Sequence, residues 1–226
     1  MIIAAIPVRN NLKWTAPLVE SLLLGDEIDE LWIYDNGSTD ATRYWVKHQM
    51  ELSSRLKYVD ASQMGFYEMW NHMIKRAVDI GGVKLAILNN DIRLPHMALK
   101  TMADNMNSYQ IVTIDTTRGS FEPIESPHPV KIGGWWHRVG WAFMIQADFW
   151  KGEKFAIDPR FKLWYGDDYL YRRTMERGGR VATMVGVGCD HAVSVTTVSE
   201  LDNDYKTAIT QADRELFDSL WPYSKR

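Results

Sequence analysis

The strongest constraint on the fold is an alternation that runs through the first ninety or so residues. Short apolar runs take turns with segments whose apolar side chains recur at helical spacing. Ile2 to Val8 reads as a buried strand. Leu12 to Leu24 carries helical spacing and ends at Gly25. Ile28 to Tyr34 reads as a second strand and runs into Asp-Asn-Gly-Ser-Thr-Asp at 35–40, a dense turn and helix-cap cluster. Thr39 to Met50 reads as a helix and Leu56 to Val59 as a short strand. Phe66 to Ile80 reads as a helix closed by Gly81-Gly82, and Val83 to Leu88 as a strand followed by Asn-Asn-Asp at 89–91. Strands and helices in this order predict an α/β fold, with a mostly parallel sheet covered by helices on both faces.

The second half is less regular. Strands are expected at Gln110 to Asp115, Val139 to Gln146 and Arg180 to Val187, and helices at Asp167 to Arg177 and Asn203 to Leu220. Residues 116–138 hold three Pro, five Gly or Ser, and the pair Trp135-Trp136, and they read as a long loop of the kind that closes over a site. No repeat or linker divides the 226 residues, which are read as a single domain. Hydrophobic content of 46% and charged content of 24% exclude a disordered chain. A net charge of −3 excludes a strongly basic polymer-binding surface as the main theme. The lone Cys189 excludes an internal disulfide framework and a cysteine-built zinc site. The opening apolar run is stopped by Pro7 and Arg9, and no run is long enough for a membrane span, so a cytoplasmic protein is expected.

In open α/β sheets, ligands bind beyond the carboxyl ends of the strands. Three polar clusters stand at such ends: Pro7-Val-Arg9-Asn10, the Asp35–Asp40 run, and Asn89-Asn90-Asp91. Each alone reads as a turn with a helix cap; three on one edge point to a site. Asn89 and Asp91 are two apart, which turns both side chains the same way. Their oxygens suit a hard divalent cation, provided a phosphate completes the shell. Gly166-Asp167-Asp168 opens a helix whose N-terminus keeps a carboxylate ionised, as a general base requires. The plainer reading is two first-turn acids paired with Arg172 and Arg173; it is favoured for Asp167, and the catalytic role for Asp168. His191 follows small residues at a strand end, where imidazole suits Mn²⁺.

Ten Trp, ten Tyr and seven Phe are more aromatic residues than the rest of the composition explains. Five of the Trp fall at 135, 136, 141, 150 and 164. Core packing accounts for at least half of the group. Trp135, Trp136 and Trp164 lie beside glycines or in the long loop, where flat aromatic faces suit the C–H faces of a sugar.

On these residues the chain resembles the GT-A glycosyltransferases, most closely family 2, from Ile2 to about Trp221. Ile6-Pro-Val-Arg-Asn10 resembles the family's opening strand motif, and Asp35-Asn-Gly-Ser-Thr-Asp40 its second-strand motif, whose first Asp contacts the nucleotide base. Gly65 and Asn71 fall where the family has a glycine and then an Asn near the nucleotide. Leu88-Asn-Asn-Asp91 resembles the D-x-D position, with Asn89 in place of the first Asp. Trp164-Tyr-Gly-Asp-Asp168 resembles the late acidic motif that carries the base, and His191 the late histidine of the metal site.

The resemblance implies an inverting hexosyl transfer from a nucleoside diphosphate sugar, UDP-linked, to an acceptor hydroxyl. Residues 1–115 would form the nucleotide-sugar half and 116–226 the acceptor and catalytic half. Pro7, Arg9, Asn10, Asp35, Asn36, Gly65, Asn71, Asn89 and Asn90 would hold the donor. Asp91 and His191 would hold Mn²⁺ or Mg²⁺, Asp168 or its neighbour Asp167 would be the base, and Trp135, Trp136 and Trp164 would bind acceptor or sugar. The acceptor is left open among a glycan, a lipid-linked sugar, a protein side chain and a modified nucleobase, and homo-oligomerisation is also left open. Two alternatives remain at this point: a nucleotidyltransferase acting on sugar phosphates, and a non-catalytic sugar-binding relative. The first usually needs a glycine-rich loop after the first strand, which Pro7–Asn10 is not. Retained Asp91, Asp168 and His191 count against the second.

Overall fold

The computed structural model describes residues 1–114, 128–131, 139–185, 187–192 and 202–222, with 128–131 described by backbone alone. Strands β1 (Ile2–Val8), β2 (Glu30–Asp35), β3 (Leu56–Asp60) and β4 (Lys84–Leu88) run parallel, β1 lying between β2 and β4. Ile3 is in register with Glu30 on one side and with Leu85 on the other. Helices α1 (Leu12–Leu24), α2 (Thr42–Leu52) and α3 (Phe66–Ile80) connect these strands. The chain steps outward from β1 to β3, then returns to lay β4 on the far side of β1. Right-handed crossovers therefore put α1 and α2 on one face and α3 on the other. The carboxyl ends of β1 and β4 flank the point where the winding reverses, which is where such sheets hold ligands.

The sheet continues beyond β4. Strand β8 (Ala142–Gln146) lies antiparallel between β4 and β6 (Ile111–Ile114), β9 (Val181–Val185) lies parallel to β6, and β7 (His128–Lys131) closes the edge antiparallel to β9. Among the described residues the order is β3-β2-β1-β4-β8-β6-β9-β7, and a separate two-stranded ladder pairs β5 (Ile92–Arg93) with β10 (Asp190–His191). Helix α4 (Ala98–Asn105) follows β5, α5 (Gly166–Glu176) precedes β9, and α6 (Asn203–Leu220) ends the described chain.

Period-2 alternation sends successive strand side chains to opposite faces. Ile3, Ala5, Trp32 and Tyr34 pack against α3, α5 and α6 through Trp70, Met73, Leu170, Tyr171 and Phe217. Ala4, Ile6, Leu31 and Ile33 pack against α1, α2 and α4 through Leu18, Leu22, Val46, Leu99 and Met102. Trp32, Trp70 and Trp150 are core residues, as expected for much of the tryptophan. No described helix is long and apolar enough to cross a membrane.

The structure departs from the sequence reading in three places. Helix α2 starts at Thr42 rather than Thr39, because the amides of Thr39 and Asp40 donate to Asn10 Oδ1 instead of joining a helix. Helix α4 and the ladder of β5 with β10 lie where no element was expected; two-residue strands carry no periodicity to read. Strand β7 interrupts the long loop expected at 116–138, and the rest of that loop lies outside the described residues. Arg173, one of the two arginines expected beside the first-turn acids, has Glu153 at 3.8 Å and Glu176 at 3.9 Å.

Candidate active site

The loops after β1, β2 and β3 are stitched into one rim. Asn10 (φ 55°) and Asn11 (φ 62°) adopt the left-handed conformation that Asn tolerates better than most residues, and this turn aims Asn10 at the neighbouring loop. Asn10 Oδ1 accepts from the amides of Thr39 at 2.7 Å and Asp40 at 3.1 Å, while the Asn10 amide donates to Ser38 Oγ at 2.8 Å. The Asn36 amide donates to Val8 O at 2.8 Å, and Asn36 Nδ2 donates to Ala61 O at 2.9 Å and Met64 O at 2.7 Å. Asp35 is 0% exposed. Its Oδ1 accepts the Ser38 amide at 2.8 Å, and its Oδ2 accepts Tyr58 OH at 2.8 Å and Arg43 Nε at 3.2 Å. Burial alone would raise its pKa, but the hydrogen bonds from Ser38, Tyr58 and Arg43 outweigh burial and hold the carboxyl below its ordinary value.

Most of the residues expected on the donor thus spend their polar groups on framework. Asp35 is enclosed by its own chain. Pro7 is buried within β1. Gly65 is the N-cap of α3, its amide donating to Glu68 Oε2 at 2.7 Å. Asn90 Nδ2 donates to Thr15 Oγ1 at 3.0 Å. Asn71 ties this framework to a segment far along the chain: its Oδ1 accepts the amides of Ala156 and Ile157, both at 2.9 Å, and its Nδ2 donates to Ile157 O at 2.8 Å. Arg9 is exposed at the rim and Asn89 is half-buried at the end of β4.

Asp91 and His191, about a hundred residues apart in the chain, meet beside this rim. The β5–β10 ladder pairs His191 with Ile92 and so brings the ring to Asp91. His191 Nε2 stands 3.3 Å from Asp91 Oδ1, with the two side chains 12% and 5% exposed. Trp141 stacks on the imidazole at 4.7 Å between centroids and 21° between planes, which fixes the ring. His191 Nε2 is buried and makes no hydrogen bond among the described residues. A buried ring nitrogen without a hydrogen bond, beside a carboxylate oxygen, fits a shared cation. No group of three or more His, Cys, Asp or Glu that could hold a metal occurs among the described residues.

The acidic motif is held from two directions. Tyr67 OH, on α3, donates to Leu163 O at 3.0 Å and accepts the Gly166 amide at 3.1 Å. Its ring lies against Gly166 so closely that a Cβ there would overlap it. Burial first, and then the charge of Asp167, keep the Tyr67 phenol well above its usual pKa, with Asp213 and Asp168 adding to the effect. From the other side, Asp213 on α6 accepts the amides of Lys162, Leu163 and Trp164. Asp167 rests on Gly140, where a Cβ would collide with its carboxylate. Trp164 is 37% exposed beside the motif, and Trp135 and Trp136 lie outside the described residues.

Sequence reading missed Tyr67 and Asp213. Tyr67 was hidden in the aromatic run Phe66-Tyr67…Trp70, which reads as a core stripe. Asp213 carried a usable signal: an acid on the same face of α6 as Phe217 and Trp221, at i, i+4 and i+8.

A family model described as Glycosyl transferase family 2 matches residues 3–162. Among solved structures, glucosyl-3-phosphoglycerate synthase from Mycobacterium tuberculosis, in complex with Mn²⁺, UDP and phosphoglyceric acid, superposes with a TM-score of 0.64 at 15% identity, over 97% of this chain and 78% of that one. TarS 1-349 from S. aureus gives 0.63 at 16% identity, over 97% and 72%. The mannosyltransferase PcManGT from Pyrobaculum calidifontis, with GDP-Man and Mn²⁺, gives 0.61 at 16%, over 86% and 57%. At these identities the superpositions establish a shared fold. No curated protein matches the chain in sequence.

Proposed function

The chain belongs to glycosyl transferase family 2, and from that premise we propose that it moves a sugar from a UDP-sugar to an acceptor hydroxyl with inversion, a divalent cation assisting and Asp168 acting as base. The observation that carries the reading is the meeting of Asp91 with the buried His191 Nε2 beside the β1–β4 crevice. Asp91 and His191 would hold the cation, with donor phosphate oxygens completing its shell; an imidazole ligand favours Mn²⁺ over Mg²⁺. A cation bound there supplies positive charge against the leaving diphosphate. Neighbours solved with UDP, and with UDP and Mn²⁺, support the same donor and metal.

Asp168 takes the proton of the acceptor hydroxyl as that oxygen bonds to the anomeric carbon. The carbon's bond to the diphosphate breaks on the opposite face, and UDP leaves with the electron pair. The packing of Asp167 against Gly140 supports Asp168, rather than its neighbour, as the base. Arg9 and Asn89 stand at the rim where the donor would lie, and the stitched loops keep that rim in place for in-line attack. Trp164, exposed beside the acidic motif, would offer its ring to the acceptor sugar.

Incubation with UDP-sugars and Mn²⁺ tests the reading. UDP is the expected product; release of sugar 1-phosphate, by transfer of the uridylyl group, would mark a nucleotidyltransferase instead. Asp168→Asn is expected to lower transfer by about 10²–10⁴-fold while UDP still binds; undiminished turnover removes it as the base. Asp91→Ala is expected to abolish the Mn²⁺-dependent part of UDP binding in calorimetry, and an unchanged isotherm would refute the metal site.

A further inference from the structure

We propose that Asp213, on the C-terminal helix, is a positioning residue: its carboxylate sets the place of the loop that carries Asp168. The proposal rests on the reading of Asp168 as the base. Asp213 is 2% exposed. Its Oδ1 accepts the Lys162 amide at 3.0 Å, and its Oδ2 accepts the Leu163 and Trp164 amides, both at 2.8 Å. These three consecutive amides lead into Tyr165, a bulky residue at φ 62°, immediately before Gly166-Asp167-Asp168. Such a conformation in a large side chain persists only where its surroundings over-determine it. Asp213 supplies that on the near side of Tyr165, and Tyr67 OH bridges it from Leu163 O to the Gly166 amide.

The helix itself gives no reason for an acid at this point. Position 213 shares its face with Phe217 and Trp221, where an apolar side chain would pack without desolvating a charge. A carboxylate has two acceptor oxygens and so can serve three amides. Asparagine has one, and would turn an NH₂ toward a backbone N–H. Asp168 and Asp213 both lie beyond residues 3–162, so the part of the chain that matches the family model does not contain this pair.

The test uses the full chain and four variants, Asp213→Asn, Tyr67→Phe, the double variant of these two and Asp168→Asn, with UDP-glucose and UDP-N-acetylglucosamine as donors, Mn²⁺, and water as acceptor. In Asp213→Asn, kcat for UDP release is expected to fall about a hundredfold. The dissociation constant of UDP with Mn²⁺ is expected to stay within about twofold, because the donor rim is untouched. Hydrogen exchange at amides 162–168 is expected to rise about tenfold or more, with the parallel strands unchanged. A merely structural residue would move UDP affinity and strand exchange as well. Tyr67→Phe is expected to show the same split, and the double variant to lose less than the product of the two singles, since both act on one loop.

Parental turnover in Asp213→Asn with an inactive Asp168→Asn overturns the positioning role and leaves the base assignment standing. An active Asp168→Asn removes the base assignment and this proposal with it. If the parent releases no UDP from either sugar, exchange decides: parental rates at 162–168 in Asp213→Asn overturn the proposal. If Asp213→Asn does not fold, Tyr67→Phe decides by the same exchange criterion at 163–166.

Discussion

Asp35 stands out in the sequence as the head of a dense polar turn, and burial settles what its carboxylate does. Fully enclosed, it takes hydrogen bonds from Ser38, Tyr58 and Arg43 and is held below its ordinary pKa. A depressed folded-state pKa contributes stability that is complete above the unfolded value of 3.8 and is lost as pH falls through the lower folded one. Asp35→Asn is therefore expected to lower stability by about 1–3 kcal/mol at pH 7. Urea unfolding of parent and variant should show this difference shrinking as the solution is acidified below that window; a pH-independent difference would contradict the account. Cys189 gives a second expectation at this scale. Burial pushes its thiol up to about 11, so little thiolate exists at neutral pH. Iodoacetamide should modify it far more slowly than a free thiol, and rapid labelling would show the side chain to be accessible and ionised.

Helix α3 links the two halves of the chain. Its Tyr67 and Asn71, one turn apart on a single face, reach the acidic loop and residues 156–157 respectively. Gly166 is the point of closest approach, because the Tyr67 ring occupies the space a side chain there would need. Gly166→Ala is expected to cost about 1–3 kcal/mol through overpacking and to lower turnover more than UDP affinity, read by thermal unfolding, kinetics and calorimetry. Wild-type stability would show that the ring yields freely. The bounds of β1, α1, α3 and α6 were legible to the residue, since each is a long apolar run or stripe ended by a breaker or a cap. The start of α2 was not, because whether Thr39 and Asp40 join a helix depends on Asn10, about thirty residues away. Asn71 was legible as a position but its hydrogen bonds were not, because its partners are backbone groups some eighty-five residues on.

At the scale of the whole molecule, one sheet carries the stitched rim at the ends of its parallel strands, and the Asp91–His191 pair closes beside the rim through a ladder of two short strands. If donor and metal bind there together, UDP with Mn²⁺ should stabilise the folded state as a unit, by about 2.7 kcal/mol at a hundredfold excess over the dissociation constant. Chelation by EDTA should remove most of that gain, because the diphosphate then meets Asp91 without an intervening cation; an EDTA-insensitive shift in melting temperature would disconnect donor binding from the pair.

Local pattern alone determined the parallel sheet, its helical cover on both faces, and the clustering of polar residues at one edge. Strand and helix periods and turn chemistry are properties of neighbours in the chain, and the handedness of crossovers leaves little choice once they are set. Only the tertiary structure decided which of those polar residues stand at the rim and which hold its loops together. That distinction depends on partners distant in sequence: Ser38 and Tyr58 for Asp35, the 156–157 backbone for Asn71, and α6 for the loop before Asp168. Hydrogen-bond satisfaction inside a protein is settled by what surrounds a group in space, and the linear order of residues does not contain that information until the chain has folded.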